Sequence, residues 1–117
     1  MIYRNQAMYE AGRGDWALYK YDLDNDYYLT AFRLEVRTGR YPDIGELFNE
    51  SSRQVMTVIE GYGTIHVDGR HFDLSEGDCI FIYKDELYYI DKTSNLKISI
   101  VSYPPWTSSQ QKIFLKQ

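Results

Sequence analysis

The sequence predicts an all-β domain, a β-barrel or a β-sandwich, for three reasons. Apolar and polar residues alternate with a period of two in several segments, as in residues 64–67 and 71–74. Turn signals such as Asp68-Gly69 separate these segments, and about nine or ten short strands follow one another at regular spacing. Aromatic residues make up 16% of the chain and include 12 Tyr, a residue that favours strands. Little helix is expected.

The first half of the chain is predicted to hold two edge strands, a core strand and a polar loop. The edge strands lie in residues 1–21 and end at an acidic turn in residues 22–26. The next strand covers residues 28–37, where Phe32, Leu34 and Val36 share one face. Residues 38–40 turn the chain, and residues 41–53 are interpreted as a loop.

The second half is predicted to be built around a hairpin with a two-residue turn. Asp68-Gly69 suits a type I′ turn, which requires positive φ at both central positions. In that hairpin Ile65 pairs with Phe72 and His66 with His71. Further strands are predicted at residues 55–60, 80–84, 87–91 and 96–103. Pro104-Pro105 ends the last strand, and residues 107–110 form a turn or a short helix.

Composition excludes several classes of partner and location. The net charge of −4 and pI near 5.1 leave no basic stripe for nucleic acid. The first residues lack the apolar core of a signal peptide, and no apolar run approaches the roughly 20 residues that span a bilayer. A single cysteine, Cys79, allows no internal disulfide. We therefore expect one cytoplasmic domain over residues 1–117 that contacts neither nucleic acid nor membrane.

Two spaced motifs resemble those of the cupin family. Residues 60–63 read E-G-Y-G, like the turn that ends the first cupin motif, and residues 77–82 read G-D-C-I-F-I, like the start of the second. The resemblance implies a cupin-type jelly-roll β-barrel with a core at about 28–106, N-terminal edge strands at 1–21 and a C-terminal tail at 104–117. Together with the excess of Tyr, it also implies a homodimer.

The resemblance departs from the family where metal-binding cupins carry their ligands. Those cupins place two His and a Glu in the first motif and a His in the second, all directed into the barrel. Counting by the family spacing puts Phe48, Glu50, Gln54 and Tyr88 at these positions. Only Glu50 is a good ligand for a divalent metal, so we expect no metal and no other cofactor.

The two histidines offer a weaker alternative metal site. His66 and His71 are expected side by side in the hairpin, with Asp68 or Asp73 as a further ligand. This polar face of the hairpin lies opposite Ile65, however, so it is expected to point out of the barrel. The alternative to a metal site is a pair of solvent-facing or dimer-facing histidines.

The favoured function is a metal-free cupin that binds a small polar ligand or acts as a structural or regulatory module. A ligand pocket would be lined by inward-facing residues, namely Phe48, Glu50, Gln54, Met56, Tyr88 and Trp106. The alternative is that these side chains simply fill the barrel. A second function is an isomerase or epimerase of a sugar derivative, with Glu50 as base and Tyr88 as acid. A divalent-metal enzyme with unusual ligands is the least favoured.

Overall fold

A computed structural model describes residues 7–13, 15–21, 23 and 28–115, and these residues form nine strands in one sheet. The strands are β1 (Ala7–Arg13), β2 (Trp16–Tyr21), β3 (Thr30–Tyr41), β4 (Glu46–Asn49), β5 (Arg53–Val67), β6 (Arg70–Leu74), β7 (Cys79–Ile82), β8 (Tyr88–Tyr103) and β9 (Gln111–Phe114). The all-β prediction is confirmed. Within the described ranges, no helix is long and apolar enough to cross a membrane.

Strand β8 lies at the centre of the sheet. It pairs antiparallel with β3 on one side and with β5 on the other. Beyond β3 lie β2 and then β1, at the edge where the sequence predicts edge strands. The far side of β5 carries β6 and β7, and β4 joins β8 near its start. Residues 1–6 and most of the predicted acidic turn, Asp22 and residues 24–26, lie outside the described residues.

The sheet curls where the two longest strands bend together. Strand β5 has 15 residues and β8 has 16, and their register shifts repeatedly between Val58 and Thr64. Gly61 lies in this bend with φ of 79°. A Cβ atom there would collide with the backbone oxygen of Asn95 in β8, so only glycine fits. The glycine of the E-G-Y-G motif thus allows the close approach of β5 and β8 that curves the sheet into a cupin-type barrel.

The core follows the predicted alternation. Phe32, Leu34 and Val36 of β3 are buried on one face, as predicted. Ile65 of β5 and Ile98 of β8 are fully buried beside them. The remaining buried apolar side chains are Leu18, Tyr41, Leu47, Met56, Val58, Val67, Leu74, Ile82, Tyr88, Ile90, Leu96 and Ile100.

The hairpin between β5 and β6 has the predicted geometry. Asp68 and Gly69 have φ of 48° and 83°, as a type I′ turn requires. His66 pairs with His71, and Ile65 pairs with Phe72. This part of the fold is determined by neighbouring residues and could therefore be predicted in detail.

The prediction that residues 41–53 form only a loop is wrong. Residues 41–53 contain strand β4 rather than only a loop, and the C-terminal tail contains strand β9. The two short strands pair with each other, with Leu47 opposite Ile113. Four-residue strands show too little alternation to be recognised, and their partners lie far apart in the sequence. Residues 107–110 form a turn, closed by a hydrogen bond from Gln110 N to Thr107 O.

Candidate functional site

Three buried polar side chains form a hydrogen-bonded chain on the inner face of the sheet. The hydroxyl group of Tyr88 donates to Oε1 of Gln54 at 3.1 Å. Nε2 of Gln54 in turn donates to Oγ of Ser102 at 2.9 Å. All three residues are at most 4% exposed. Because these groups are bonded to one another, their hydrogen bonds are already used within the protein.

The phenols in this interior keep their protons. Burial raises the pKa of Tyr88 well above its ordinary value of 10, and the neighbouring Tyr41 raises it further by charge repulsion. Burial also raises the pKa of Tyr41 to about 12, although a hydrogen bond with Gln111 opposes the rise. The indole Nε1 of Trp106 donates to Oε1 of the same Gln111. Both phenols are therefore protonated at neutral pH and do not act as bases.

The structure brings together four of the six predicted pocket residues. Gln54, Met56 and Tyr88 are buried in the interior. Trp106 packs at its border, with its ring 5.4 Å from that of Phe32 at nearly a right angle. The three buried residues are at most 4% exposed, which favours the filled barrel over the open pocket at this end.

Phe48 and Glu50 do not share that interior. Strand β4 instead buries Leu47 and Asn49, which are 3% and 2% exposed. Glu50 lies at the surface with a side chain 54% exposed, and its Oε1 is 3.9 Å from Nζ of Lys112. The prediction that Phe48 and Glu50 face inward is therefore wrong by one residue, and a one-residue shift moves every side chain to the other face of a strand. The structure does not bring Glu50 together with buried Tyr88.

The inward residues do not fit the metal that many cupins hold. If the first motif is counted with four residues between its second His and its Glu, Leu47 and Asn49 take the His positions. Leu47 has no atom that can bind a metal. Oδ1 of Asn49 could bind one, but it accepts a hydrogen bond from Nε2 of Gln110 at 2.8 Å. Nδ2 of Asn49 is the one fully buried side-chain polar atom without a partner among the described residues. As a donor, it cannot ligate a cation.

The outer face of the same strands borders a cleft of about 770 Å³. It lies at the end of the molecule where β5 turns into β6, and the loop before β4 and the end of β9 form its other walls. Its lining mixes charged, aromatic and apolar side chains, namely Arg40, Ile44, Gly45, Glu46, His66, Asp68, Gly69, Leu87, Tyr89, Phe114 and Leu115. Such a mixed concave surface is typical of small-molecule sites.

The ring of Tyr89 is held between two side chains from the flanking strands. His66 of β5 stacks on it with centroids 4.2 Å apart and planes 6° from parallel. Cζ of Arg40 in β3 lies 4.3 Å from the ring centroid, on the face that His66 leaves uncovered. The Arg40 guanidinium is fixed in turn, because it donates to the carbonyl oxygens of Pro42 and Gly45, both at 2.6 Å. The cleft therefore has a rigid cationic and aromatic wall.

His66 also pairs with a carboxylate. Its Nε2 lies 2.9 Å from Oδ1 of Asp91, and the two side chains are 22% and 29% exposed. Since an ionised carboxylate only accepts hydrogen bonds, this contact assigns the proton to Nε2 and leaves Nδ1 unprotonated in the neutral ring. The sequence analysis missed Asp91, although its alternation with Ile90 and its parity with Tyr89 place it on the outer face of β8.

The weak alternative of a metal at His66 and His71 gains no support. The two rings lie 5.9 Å apart across the hairpin, as the predicted register requires. Over the described part of the chain, however, no group of three or more His, Cys, Asp or Glu side chains is arranged to hold a metal. His71 is exposed, whereas His66 is bound to Asp91.

Comparisons of the sequence point to a ligand-binding family. Residues 50–111 match the family described as the AraC-like ligand binding domain. The uncharacterised protein MJ1618 of Methanocaldococcus jannaschii is 31% identical over 65 residues, which cover 54% of this chain and 52% of that protein. The chain thus matches about half the length of this relative.

Comparisons of the structure identify other cupin-type barrels. Streptomyces Pac13 in complex with uridine has a TM-score of 0.78 at 16% identity, over 95% of this chain and 88% of its own. Pac13 is described as a nucleoside dehydratase. Ectoine synthase from P. lautus has a TM-score of 0.69 at 18% identity, over 92% of this chain and 81% of its own. KdgF from Halomonas scores 0.68 at 15% identity, over 92% and 94%. These likenesses establish the cupin-type fold.

Proposed function

The chain belongs to the AraC-like ligand binding domain family, and from this premise we propose that it binds a small polar molecule in the cleft beside Tyr89. The observation that carries the proposal is the stack of Arg40, Tyr89 and His66 along one wall of that cleft. A wall held by ring stacking and by two backbone carbonyls is ordered before any ligand arrives. Preorganisation of this kind lowers the entropic cost of binding.

The cleft is a better ligand site than the barrel interior for two reasons. The interior side chains are almost fully buried and bonded to one another, so a ligand would have to break the chain from Tyr88 through Gln54 to Ser102. The hydroxyl group of Tyr89, by contrast, has no hydrogen-bond partner among the described residues. A ligand in the cleft therefore gains a hydrogen bond at Tyr89 without displacing one within the protein.

A thermal-shift screen with a pair of matched variants tests the location. The screen uses sugars, nucleosides including uridine, carboxylic acids and amino acids, against the wild type, Tyr89→Ala and Tyr62→Ala. Tyr62 is 60% exposed and lies outside the cleft, so it controls for loss of an exposed ring. A ligand at ~100 times its Kd stabilises the fold by roughly 2.7 kcal/mol. We expect this stabilisation in the wild type and Tyr62→Ala but not in Tyr89→Ala.

A shift that survives in Tyr89→Ala but disappears in Gln54→Leu would place the ligand inside the barrel and overturn the assignment to the cleft. The same comparison distinguishes an open interior from a filled one. Because Gln54→Leu is itself expected to destabilise the fold, its result is measured as the shift relative to its own unliganded melting temperature.

A second candidate function is proton transfer, favoured by the 2.9 Å contact between His66 and Asp91. With its proton held on Nε2 by Asp91, His66 would accept a proton from substrate carbon at Nδ1, and the hydroxyl of Tyr89 would donate one in return. This pair replaces Glu50 and Tyr88 in an isomerase or epimerase of a sugar derivative. NMR in D₂O would show deuterium entering a bound ligand with the wild type and not with His66→Gln. If His66→Gln exchanges at the wild-type rate, His66 is not the base.

A further inference from the structure

Charged groups of both signs line the cleft beside its aromatic wall. Arg40 is the cation, and it donates hydrogen bonds to the carbonyl oxygens of Pro42 and Gly45. A guanidinium group has five N–H donors, so several remain available. No carboxylate in the described part of the chain is paired with Arg40, and its positive charge is therefore not neutralised.

The carboxylates of the cleft are likewise open to a ligand. Glu46 lines the cleft and, within the described ranges, its side chain has no hydrogen-bond or ion-pair partner. Asp68 accepts one hydrogen bond at Oδ1, from the backbone N–H of Leu87 at 2.9 Å, which leaves Oδ2 for another donor. The cleft thus presents one unpaired cation and two carboxylates with free acceptor capacity.

A third part of the lining is apolar and exposed. Ile44 is 64% exposed, Phe114 is 45% exposed and Leu115 is 57% exposed, and all three border the same cleft. Apolar side chains that remain exposed beside a charged concave surface are a common sign of a ligand site. They would be covered if the ligand carried an apolar group of its own.

We propose that the ligand of this cleft is a small zwitterion with an apolar side group, the chemistry of an apolar α-amino acid. The proposal rests on the proposed binding function and adds the class of ligand. The carboxylate pairs with Arg40 and the ammonium group with Glu46 and Asp68, while the side group lies against Ile44 and Phe114. The planar fork of Arg40 suits a carboxylate in particular.

The same charges disfavour the simpler ligands. A phosphate ester would gain one pairing with Arg40 but would bring its charge close to Glu46 and Asp68. An amine without a carboxylate would be repelled by the positive charge of Arg40 and would leave that charge unpaired. A neutral sugar would partly desolvate all three charged groups without neutralising any of them. Only a ligand with both charges pairs every one of these groups.

Titration calorimetry with three matched ligands tests the proposal. L-Leucine carries both charges, 4-methylpentanoate lacks the ammonium group, and 3-methylbutylamine lacks the carboxylate. We expect leucine to bind at least about tenfold more tightly than either analogue, because each analogue leaves charged groups of the cleft unpaired. Phenylalanine serves as a second amino acid with a larger apolar group.

Three variants assign the two charges to their partners. Glu46→Gln is expected to weaken the binding of leucine and of the amine about equally, without weakening the binding of 4-methylpentanoate. Arg40→Gln is expected to do the reverse, weakening leucine and the acid. Arg40→Lys keeps the charge and guards against misfolding of the loop that Arg40 holds. Glu76→Gln, at an exposed residue outside the cleft, should leave all affinities unchanged.

Each outcome separates this inference from the proposed function. Suppose that leucine and phenylalanine fail to bind, while a sugar, nucleoside or simple acid shifts the melting temperature in a Tyr89-dependent way. The proposal of a zwitterionic ligand is then wrong, and the assignment of the ligand site to the cleft is kept. If leucine binds no more tightly than its analogues, the pairing of both charges is also wrong. If no ligand of the screen depends on Tyr89, the proposed function falls, and the inference falls with it.

Discussion

Tyr88 and Tyr89 are neighbours in β8, yet they belong to two different regions of the molecule. Tyr88 is 1% exposed and donates a hydrogen bond to Gln54 inside the barrel. Tyr89 is half-buried on the outer face, held between His66 and Arg40, and lines the cleft. The two side chains point to opposite faces because successive residues alternate across a strand.

The difference between the two tyrosines separates structure from candidate function. Apart from Nδ2 of Asn49, the inner face has its buried side-chain polar groups bonded within the protein, so its residues stabilise the fold. The outer face has its rings and charges positioned, while the hydroxyl of Tyr89 and the carboxylate of Glu46 have no partner among the described residues. Substitutions on the inner face should therefore change stability, and those on the outer face should change binding. The predictions below test this division.

The largest effect on the free energy of unfolding is expected from Gln54→Leu. The substitution keeps the volume but removes both hydrogen bonds of the buried amide, so the hydroxyl groups of Tyr88 and Ser102 each lose a partner. We expect the free energy of unfolding to fall by roughly 2 to 4 kcal/mol, because each buried group left unpaired costs about 1 to 3 kcal/mol. The loss is measured by urea denaturation, with circular dichroism as the signal. A loss below about 0.5 kcal/mol would show that water reaches the interior and replaces the lost hydrogen-bond partners.

Alkaline pH should destabilise the inner face next most strongly. The pKa of Tyr41 is raised from 10.0 to about 12, so the folded state holds this proton more tightly than the unfolded chain. The resulting stability is complete below pH 10 and is lost as the pH rises to about 12, by about 2.7 kcal/mol at most. Urea titrations between pH 9 and 12 should show a shallower decline for Tyr41→Phe, whereas Tyr62→Phe should match the wild type.

Removing one hydroxyl from each neighbouring tyrosine compares the faces directly. Tyr88→Phe leaves the buried Oε1 of Gln54 without its donor and should cost roughly 1 to 3 kcal/mol. Tyr89→Phe removes a hydroxyl that has no hydrogen-bond partner among the described residues, and it should change stability by less than about 0.5 kcal/mol. Ligand affinity should respond in the opposite order. Equal stability losses in the two variants would contradict the division between inner and outer faces.

The smallest effect on stability is expected at the pair of His66 and Asp91. Both side chains are partly exposed, so Asp91→Asn should lower the free energy of unfolding by at most about 1 kcal/mol. The same substitution frees the imidazole to turn and should weaken ligand binding more than it weakens the fold. Glu50→Gln, at the more exposed pair with Lys112, provides the control and should change neither property. A larger stability loss in Asp91→Asn would assign this pair a structural role.

The placement of the candidate site could be predicted only in part. Gln54, Met56 and Tyr88 were placed inward because they lie in long alternating strands with a reliable parity. Glu50 was misplaced because β4 is short and the family spacing allows either three or four residues before Gln54. The four-residue spacing assigns Leu47 and Asn49 instead, and these are the two residues that β4 buries.

The sequence by itself determined the all-β class, the hairpin at Asp68-Gly69 and the register of that hairpin. Each of these depends on residues next to one another, through positive φ or a period of two. Only the tertiary structure decided that β4 pairs with β9, that Asp91 meets His66 and that Arg40 covers Tyr89. These contacts join segments 25 or more residues apart, such as His66 and Asp91, and depend on how β3, β5 and β8 align side by side. Local pattern does not encode that alignment.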